Sequence, residues 1–207
     1  MTRVIGGTAG GRRLAVPRGT STRPTSDRAR EGLFSSVQSE LGSLTGKRVL
    51  DLYAGSGAVG LEALSRGAGH VLLVESDART AAVIKANVAA IGLAGAIVVT
   101  DRAERLLGRP PGPADRYDLV FADPPYAMTD EAVTKTLALL ADGWLAGGAL
   151  VVVERATRSG PFDWPPGYAE GKSRRYGEAT FWYGWYGNGA EAGQAGLAAG
   201  NCAGTVA

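Results

Sequence analysis

The chain has 207 residues, 45% of them hydrophobic, with a net charge of +2, one cysteine and one histidine. That length suits one ordinary domain with extensions and supplies enough apolar side chain for a sizeable core. A lone Cys202 excludes an internal disulfide, and Cys202 with His70 argue against zinc clusters and Cys–His nucleophile pairs, so chemistry without a metal is expected. No apolar run approaches the ~20 residues of a membrane helix, and MTRVIGGTAGGRR lacks the apolar stretch of a secretory signal. A soluble, cytoplasmic protein is the expectation, and nothing calls for an obligate oligomer, so a monomer is expected.

The charge is unevenly placed. Residues 1–30 hold Arg3, Arg12, Arg13, Arg18, Arg23, Arg28 and Arg30 against the single acid Asp27, a local charge of +6 that leaves −4 on the remainder. A basic arm on a mildly acidic body suggests a polyanionic partner.

In chain order, RVIGGTAGGRRLAV (3–16) places two short runs around a glycine-rich turn, the signature of a hairpin. Pro24-Thr25-Ser26-Asp27 offers a helix start. Ala29, Leu33, Phe34, Val37 and Leu41 then share one arc of a 3.6-residue period, and Arg30 lies inside that arc, where a solvated charge is not expected. From Val49 a strand–turn–helix pattern repeats. Strands are predicted at 49–53, 70–76, 96–101, 117–123 and 149–156, and helices at 58–67, 78–92 and 130–144. Apolar strands alternating with helices predict a doubly wound α/β fold, its parallel sheet covered on both faces. Residues 168–177 and 179–186 read as two antiparallel strands turning at Gly177 at the sheet edge. The Gly/Ala-rich stretch 187–207, with Glu191 as its one charge, reads as a disordered tail.

Two loops carry the chemistry. DLYAGSGAVG (51–60) joins the first core strand to its helix. Gly55-Ser56-Gly57-Ala-Val-Gly60 matches G-x-G-x-x-G, and Glu75 follows Gly55 by 20 residues, which on its own fits a dinucleotide site or a glycine turn made only for tight packing. Asp51 just before the loop disfavours a pyrophosphate and favours a ligand with a cationic amino group. YDLVFADPPY (117–126) ends a buried strand with an acid, two prolines that cannot continue a ladder, and an aromatic ring.

Together these loops resemble those of the class I S-adenosylmethionine-dependent methyltransferases. The resemblance implies a Rossmann-like, seven-stranded, mostly parallel sheet. It implies that Asp51, Tyr53, Ala54, Gly55, Ser56, Gly57, Glu75 and Ser76 bind S-adenosylmethionine, with Glu75 on the ribose. Asp101, Arg102 and Ala103 stand where the family meets the adenine, although here the acid precedes the alanine by two residues instead of one. Arg30 or Arg28 would reach the methionyl carboxylate. Asp123-Pro124-Pro125-Tyr126 is similar to the motif of enzymes that methylate planar amino groups. There the Asp123 carboxylate and the Pro124 carbonyl would accept hydrogen bonds from the two amine N–H groups, the prolines would stiffen the loop, and Tyr126 would stack on the base. No histidine base is needed, and His70 is expected to be structural.

The order RVIGGTAGGRRLAVP, RPTSDRAREGLFSSV, DLYAGSGAVGLEALSRGA, FADPPY and YGEATFWYGW is similar, over residues 3–186, to the bacterial 16S rRNA guanine-N2 methyltransferases of the RsmD type. That likeness implies methylation of one guanine (guanine 966) of 16S rRNA in an assembled or nearly assembled 30S subunit. It implies an RNA-gripping hairpin arm (1–24) carrying Arg3, Arg12, Arg13, Arg18 and Arg23, with Arg28 just beyond it, and a catalytic domain (25–186). Three rivals stand beside this reading. They are an amino-methyltransferase acting on adenine N6 or protein glutamine, a nicotinamide-dependent oxidoreductase, and a non-catalytic rRNA-binding assembly factor.

Overall fold

A computed structural model describes residues 2–17 and 26–187. The expectations for Arg18, Arg23, the linker around Pro24 and the tail with Cys202 therefore lie outside the described residues. The elements are β1 (Thr2–Arg3), β2 (Arg13–Leu14), α1 (Asp27–Leu41), β3 (Arg48–Leu52), α2 (Ala58–Ser65), β4 (His70–Glu75), α3 (Ala78–Ile91), β5 (Ala96–Thr100), α4 (Ala103–Leu107), β6 (Tyr117–Ala122), α5 (Asp130–Ala141), β7 (Leu145–Ala156), β8 (Tyr168–Tyr176) and β9 (Ala179–Tyr186).

Seven strands form one sheet in the order β5-β4-β3-β6-β7-β9-β8. The pairs from β5 to β7 are parallel, while β9 joins β7, and β8 joins β9, in antiparallel fashion. The chain winds outward from β3 to β5, then returns to place β6 on the other side of β3. The C-terminal ends of β3 and β6 therefore meet at the point where the order reverses, which is where open α/β sheets form clefts. Leu33, Phe34, Leu61 and Ile84 of α1, α2 and α3 cover one face with Val49, Leu119 and Val152. Leu106, Leu137 and Leu140 of α4 and α5 cover the other with Leu50, Val120 and Val151.

Local chemistry explains the boundaries. Ser26 accepts from Ala29 N to cap α1, Asp77 from Thr80 N to cap α3, and Thr129 from Ala132 N to cap α5. Gly92 ends α3 in the left-handed conformation. Three features differ from the sequence reading. The one-and-a-half-turn α4 was not expected, because five residues show too little period to read. Strand β7 starts at Leu145 instead of Ala149, with its register to β6 slipping between Tyr117/Leu145 and Leu119/Leu150. That irregularity absorbs Gly147-Gly148, which read as a break. The β1–β2 pair is only two residues long on each side.

The hairpin is not a projecting arm. Val4, Ala9 and Leu14 are buried in the same core as α1 and α2. Fully buried Glu62 accepts from Ile5 N (2.6 Å) and Gly6 N (2.8 Å) and from Arg66 Nε (2.7 Å). Ser65 Oγ donates to Gly6 O and accepts from Ala9 N. At Gly7, with φ of 75°, an added Cβ would lie 1.9 Å from Ser65 O, so only glycine permits this docking.

Candidate active site

The strand ends of β3, β4, β5 and β6 line a cleft of about 780 Å³. Strand β3 delivers Asp51, then Tyr53 to Gly57. Asp51 is buried, and its Oδ2 accepts from Gly60 N (2.8 Å) in the first turn of α2. A carboxylate there meets the positive end of the helix, so one of its oxygens serves the fold as well as the cleft. Burial, against the opposing Gly60 hydrogen bond and with the like charge of Glu75 adding to it, pushes Asp51 up to about 7. Tyr53 is the one non-glycine residue with positive φ (66°) among the described residues. Such a backbone costs energy for a bulky side chain and persists only when the surroundings hold it. Here Tyr53 Oη donates to Glu104 Oε1 at 2.8 Å. Gly57 lies behind the lining as the left-handed N-cap of α2.

Glu75, at the end of β4, clamps the glycine loop. Its Oε2 accepts from Gly55 N (3.0 Å), and its Oε1 accepts from Asp77 N (2.8 Å) and Ser76 Oγ (3.4 Å). Asp101, past β5, accepts from Arg102 N and pairs with Arg109 at 2.8 Å. Ala103 opens α4 and is buried. From β6 come Asp123, solvent-accessible through the mouth of the cleft, the buried Pro124, the exposed Pro125, and Tyr126, 61% exposed. Poorly solvating surroundings, then Glu154, then Asp51 hold Asp123 well above the usual carboxylate range.

The cleft thus gathers the predicted Asp51, Tyr53, Ala54, Gly55, Ser56, Glu75, Ser76, Asp101, Arg102, Ala103, Arg30 and Asp123 to Tyr126. Arg30 lies at its edge but is chiefly committed to the N-terminal strand. It donates to Thr2 Oγ1 (3.0 Å), Arg3 O (2.5 Å) and Asp27 Oδ1 (3.0 Å) while almost wholly buried. Arg28 is exposed on α1 and is not part of the lining. Arg3 is exposed and pairs with Asp27, Arg13 is exposed, and Arg12 donates to Ile91 O. The His70 ring lies 6.2 Å from that of Tyr117, tilted by 33°, and is not part of the cleft lining. Sequence reasoning missed Val16, Pro17, Arg79, Glu104 and Met128 in the lining. Of these, only Glu104 had a readable signal, its place one residue after Ala103 in the third strand's loop.

Six carboxylates (Asp51, Glu75, Asp77, Asp101, Glu104, Asp123) face three guanidiniums (Arg30, Arg79, Arg102) across this cleft. An acidic lining suits a cationic ligand and opposes a pyrophosphate. The open space over Gly55, where an added Cβ would meet nothing, lets a ligand lie against the loop backbone. Among the described residues no group of three or more metal-ligating side chains could hold a metal ion.

The family model described as Conserved hypothetical protein 95 matches residues 2–185. The chain belongs to this family. It is 38% identical over 167 residues to Ribosomal RNA small subunit methyltransferase D of Escherichia coli K12, a match spanning 78% of this chain and 80% of that one. The solved structure of Escherichia coli yhhF superposes with a TM-score of 0.78 at 32% identity, covering 89% of this chain and 97% of that one. At 18% identity, likeness to SMU.776, solved in complex with SAH, speaks for the fold alone (TM-score 0.56, 72% of this chain and 48% of that one). The family's fold is that of the class I methyltransferases.

Proposed function

We propose that this member of the family transfers a methyl group from S-adenosylmethionine to the exocyclic N2 of a guanine in small-subunit ribosomal RNA, guanine 966 by family likeness. The observation that carries the reading is a juxtaposition. The glycine loop clamped by Glu75 and the Asp123-Pro124-Pro125-Tyr126 segment stand on neighbouring strands, β3 and β6, at the sheet's reversal point. A cofactor site and an amine-holding site therefore share one cleft.

Glu75, the amides and open backbone of Ala54 to Gly57, and Asp51 would hold the cofactor, whose activated methyl group supplies the electrophile. The residues of the chain do the remainder by placement. A guanine amine is a poor nucleophile because its lone pair is delocalised into the ring. Asp123 and the Pro124 carbonyl accept hydrogen bonds from its two N–H groups and hold the nitrogen toward the cofactor pocket, favouring a more available lone pair; the nitrogen loses one proton after the methyl group has arrived. Pro124 and Pro125 lack N–H groups, so neither offers a backbone donor that could compete for these acceptors. Tyr126, exposed at the mouth, offers a ring on which an extruded base stacks. Arg3, Arg12, Arg13 and Arg28 would contact phosphates, contributing affinity and salt dependence more than base choice.

Methyl transfer from labelled S-adenosylmethionine to 30S subunits lacking the modification tests this, with naked 16S rRNA and duplex DNA alongside. N2-methylguanosine from 30S subunits is expected. N6-methyladenosine, or label confined to DNA or protein, would overturn the substrate while keeping the amine chemistry. No transfer to any acceptor would favour a non-catalytic role.

A further inference from the structure

The described surface holds a second carboxylate that the mechanism above does not use. Strands β6 and β7 are parallel and their ladder ends at the pair Ala122–Val153, so Asp123, the first residue past β6, and Glu154, still within β7, each follow that rung directly. Phe121 and Val152 point to the α1 face, Ala122 and Val153 to the α5 face. By alternation Glu154 returns to the α1 face, where its partner Phe181 also lies, and Asp51 holds the same face of β3, since it pairs with Phe121; Asp51 and Asp123 both line the cleft. Neighbouring strands are about 5 Å apart, which brings Asp123 and Glu154 close together, with Asp51 two residues deeper on β3 at the rung of Phe121 and Val152. The cofactor residues lie on the β3–β4–β5 side of Asp123, and Glu154 lies on the opposite side, half-buried.

We propose that Glu154 reads the target base, accepting a hydrogen bond from guanine N1–H while Asp123 takes the N2 amine; the inference rests on the methyltransferase reading above. Guanine presents two adjacent donors, N1–H and N2–H, to a pair of adjacent acceptors. Adenine presents N6–H beside N1, whose lone pair would face the Glu154 carboxylate, an unpaired and repulsive contact. Two neighbouring carboxylates match a ligand with two adjacent donors better than one that brings a lone pair, so the pair favours guanine by contact. Two couplings agree with this placement: Glu154 is the strongest charged influence raising Asp123, and it also raises the Tyr126 phenol.

The test uses 30S particles reconstituted with 16S rRNA carrying either guanine or 2-aminopurine at the methylated position. 2-Aminopurine keeps the N2 amine but replaces N1–H by a lone pair. The unmodified enzyme should prefer guanine in kcat/KM by roughly 10- to 100-fold, the range for a hydrogen bond to a charged group. Glu154→Gln, whose amide can accept or donate, should lower the guanine rate by about tenfold and narrow the preference to within about threefold. Glu154→Asp, which keeps the charge, should retain a preference for guanine. Calorimetric binding of S-adenosylmethionine should be unchanged in both variants. An unaltered preference in Glu154→Gln, or an equal loss on both bases, overturns the role of Glu154. Failure of the unmodified enzyme on guanine particles overturns the methyltransferase reading itself, and this inference with it.

Discussion

Replacing Asp51 by Asn should stabilise the ligand-free protein above neutral pH while weakening its hold on the cofactor. The buried carboxylate is held at about 7 against an ordinary 3.8. Between those values the unfolded chain gives up its proton and the folded chain does not. Folding therefore becomes less favourable as pH rises from about 4 to about 7, and the deficit stays constant above that. At 1.36 kcal/mol per unit, the gap of about three units is worth roughly 4 kcal/mol. Asn keeps the shape and the acceptor for Gly60 N, and the support that this bond gives the ionised carboxylate is already contained in the shift. The gain is therefore roughly 4 kcal/mol at pH 8 and shrinks toward zero near pH 4. Urea unfolding of both proteins across that pH range measures it as a shift in midpoint at constant slope. Equal stability at pH 8, or a difference that does not change with pH, would refute the argument that ionised Asp51 is a cost carried for the ligand.

Four further outcomes are expected. Glu75→Ala should weaken S-adenosylmethionine by about 1–3 kcal/mol in calorimetry, since it removes both a ligand acceptor and the clamp on Gly55 N; an unchanged dissociation constant would contradict the assignment. Glu62→Gln should destabilise the fold by roughly 3–5 kcal/mol, because the amide turns a donor toward Ile5 N, Gly6 N or Arg66, and limited proteolysis should then cut the N-terminal segment first; a protease-resistant N-terminus would count against this docking. Because the amine is held by ionised Asp123, kcat/KM should fall as pH drops, along a limb lying above the ordinary carboxylate range, and Glu154→Gln should move that limb to lower pH. A profile flat down to that range would refute it, and Asp123→Ala should abolish transfer while leaving cofactor affinity intact.

Periodicity and local chemistry determined much of this protein. Continuous apolar runs at 49–53, 70–76, 96–101 and 117–123 meant strands, and the structure places them side by side in parallel, although β5, at the sheet edge, leaves Ile97 exposed. Glycines, prolines and capping residues marked the loops between them. Asp51, Glu75 and Asp123 were legible because each follows or ends an apolar strand, where a carboxylate has no place in the core and must serve a cleft or a helix end. Arg30 was legible as buried, from its place on an apolar arc, but not as the tie to Thr2 and Arg3.

Tertiary structure decided the rest. Glu62 reads as an ordinary helix-surface acid, yet it is sealed in the interior by amides 57 and 56 residues earlier in the chain. The same contacts turn a supposed arm into part of the core. Glu154 sits in a strand as unremarkable sequence and gains meaning only from the register of β7 against β6. Apolar patterns state which face a segment must hide. The cost of burying a charge depends on which donors arrive to meet it, and those donors come from distant segments that no local window contains.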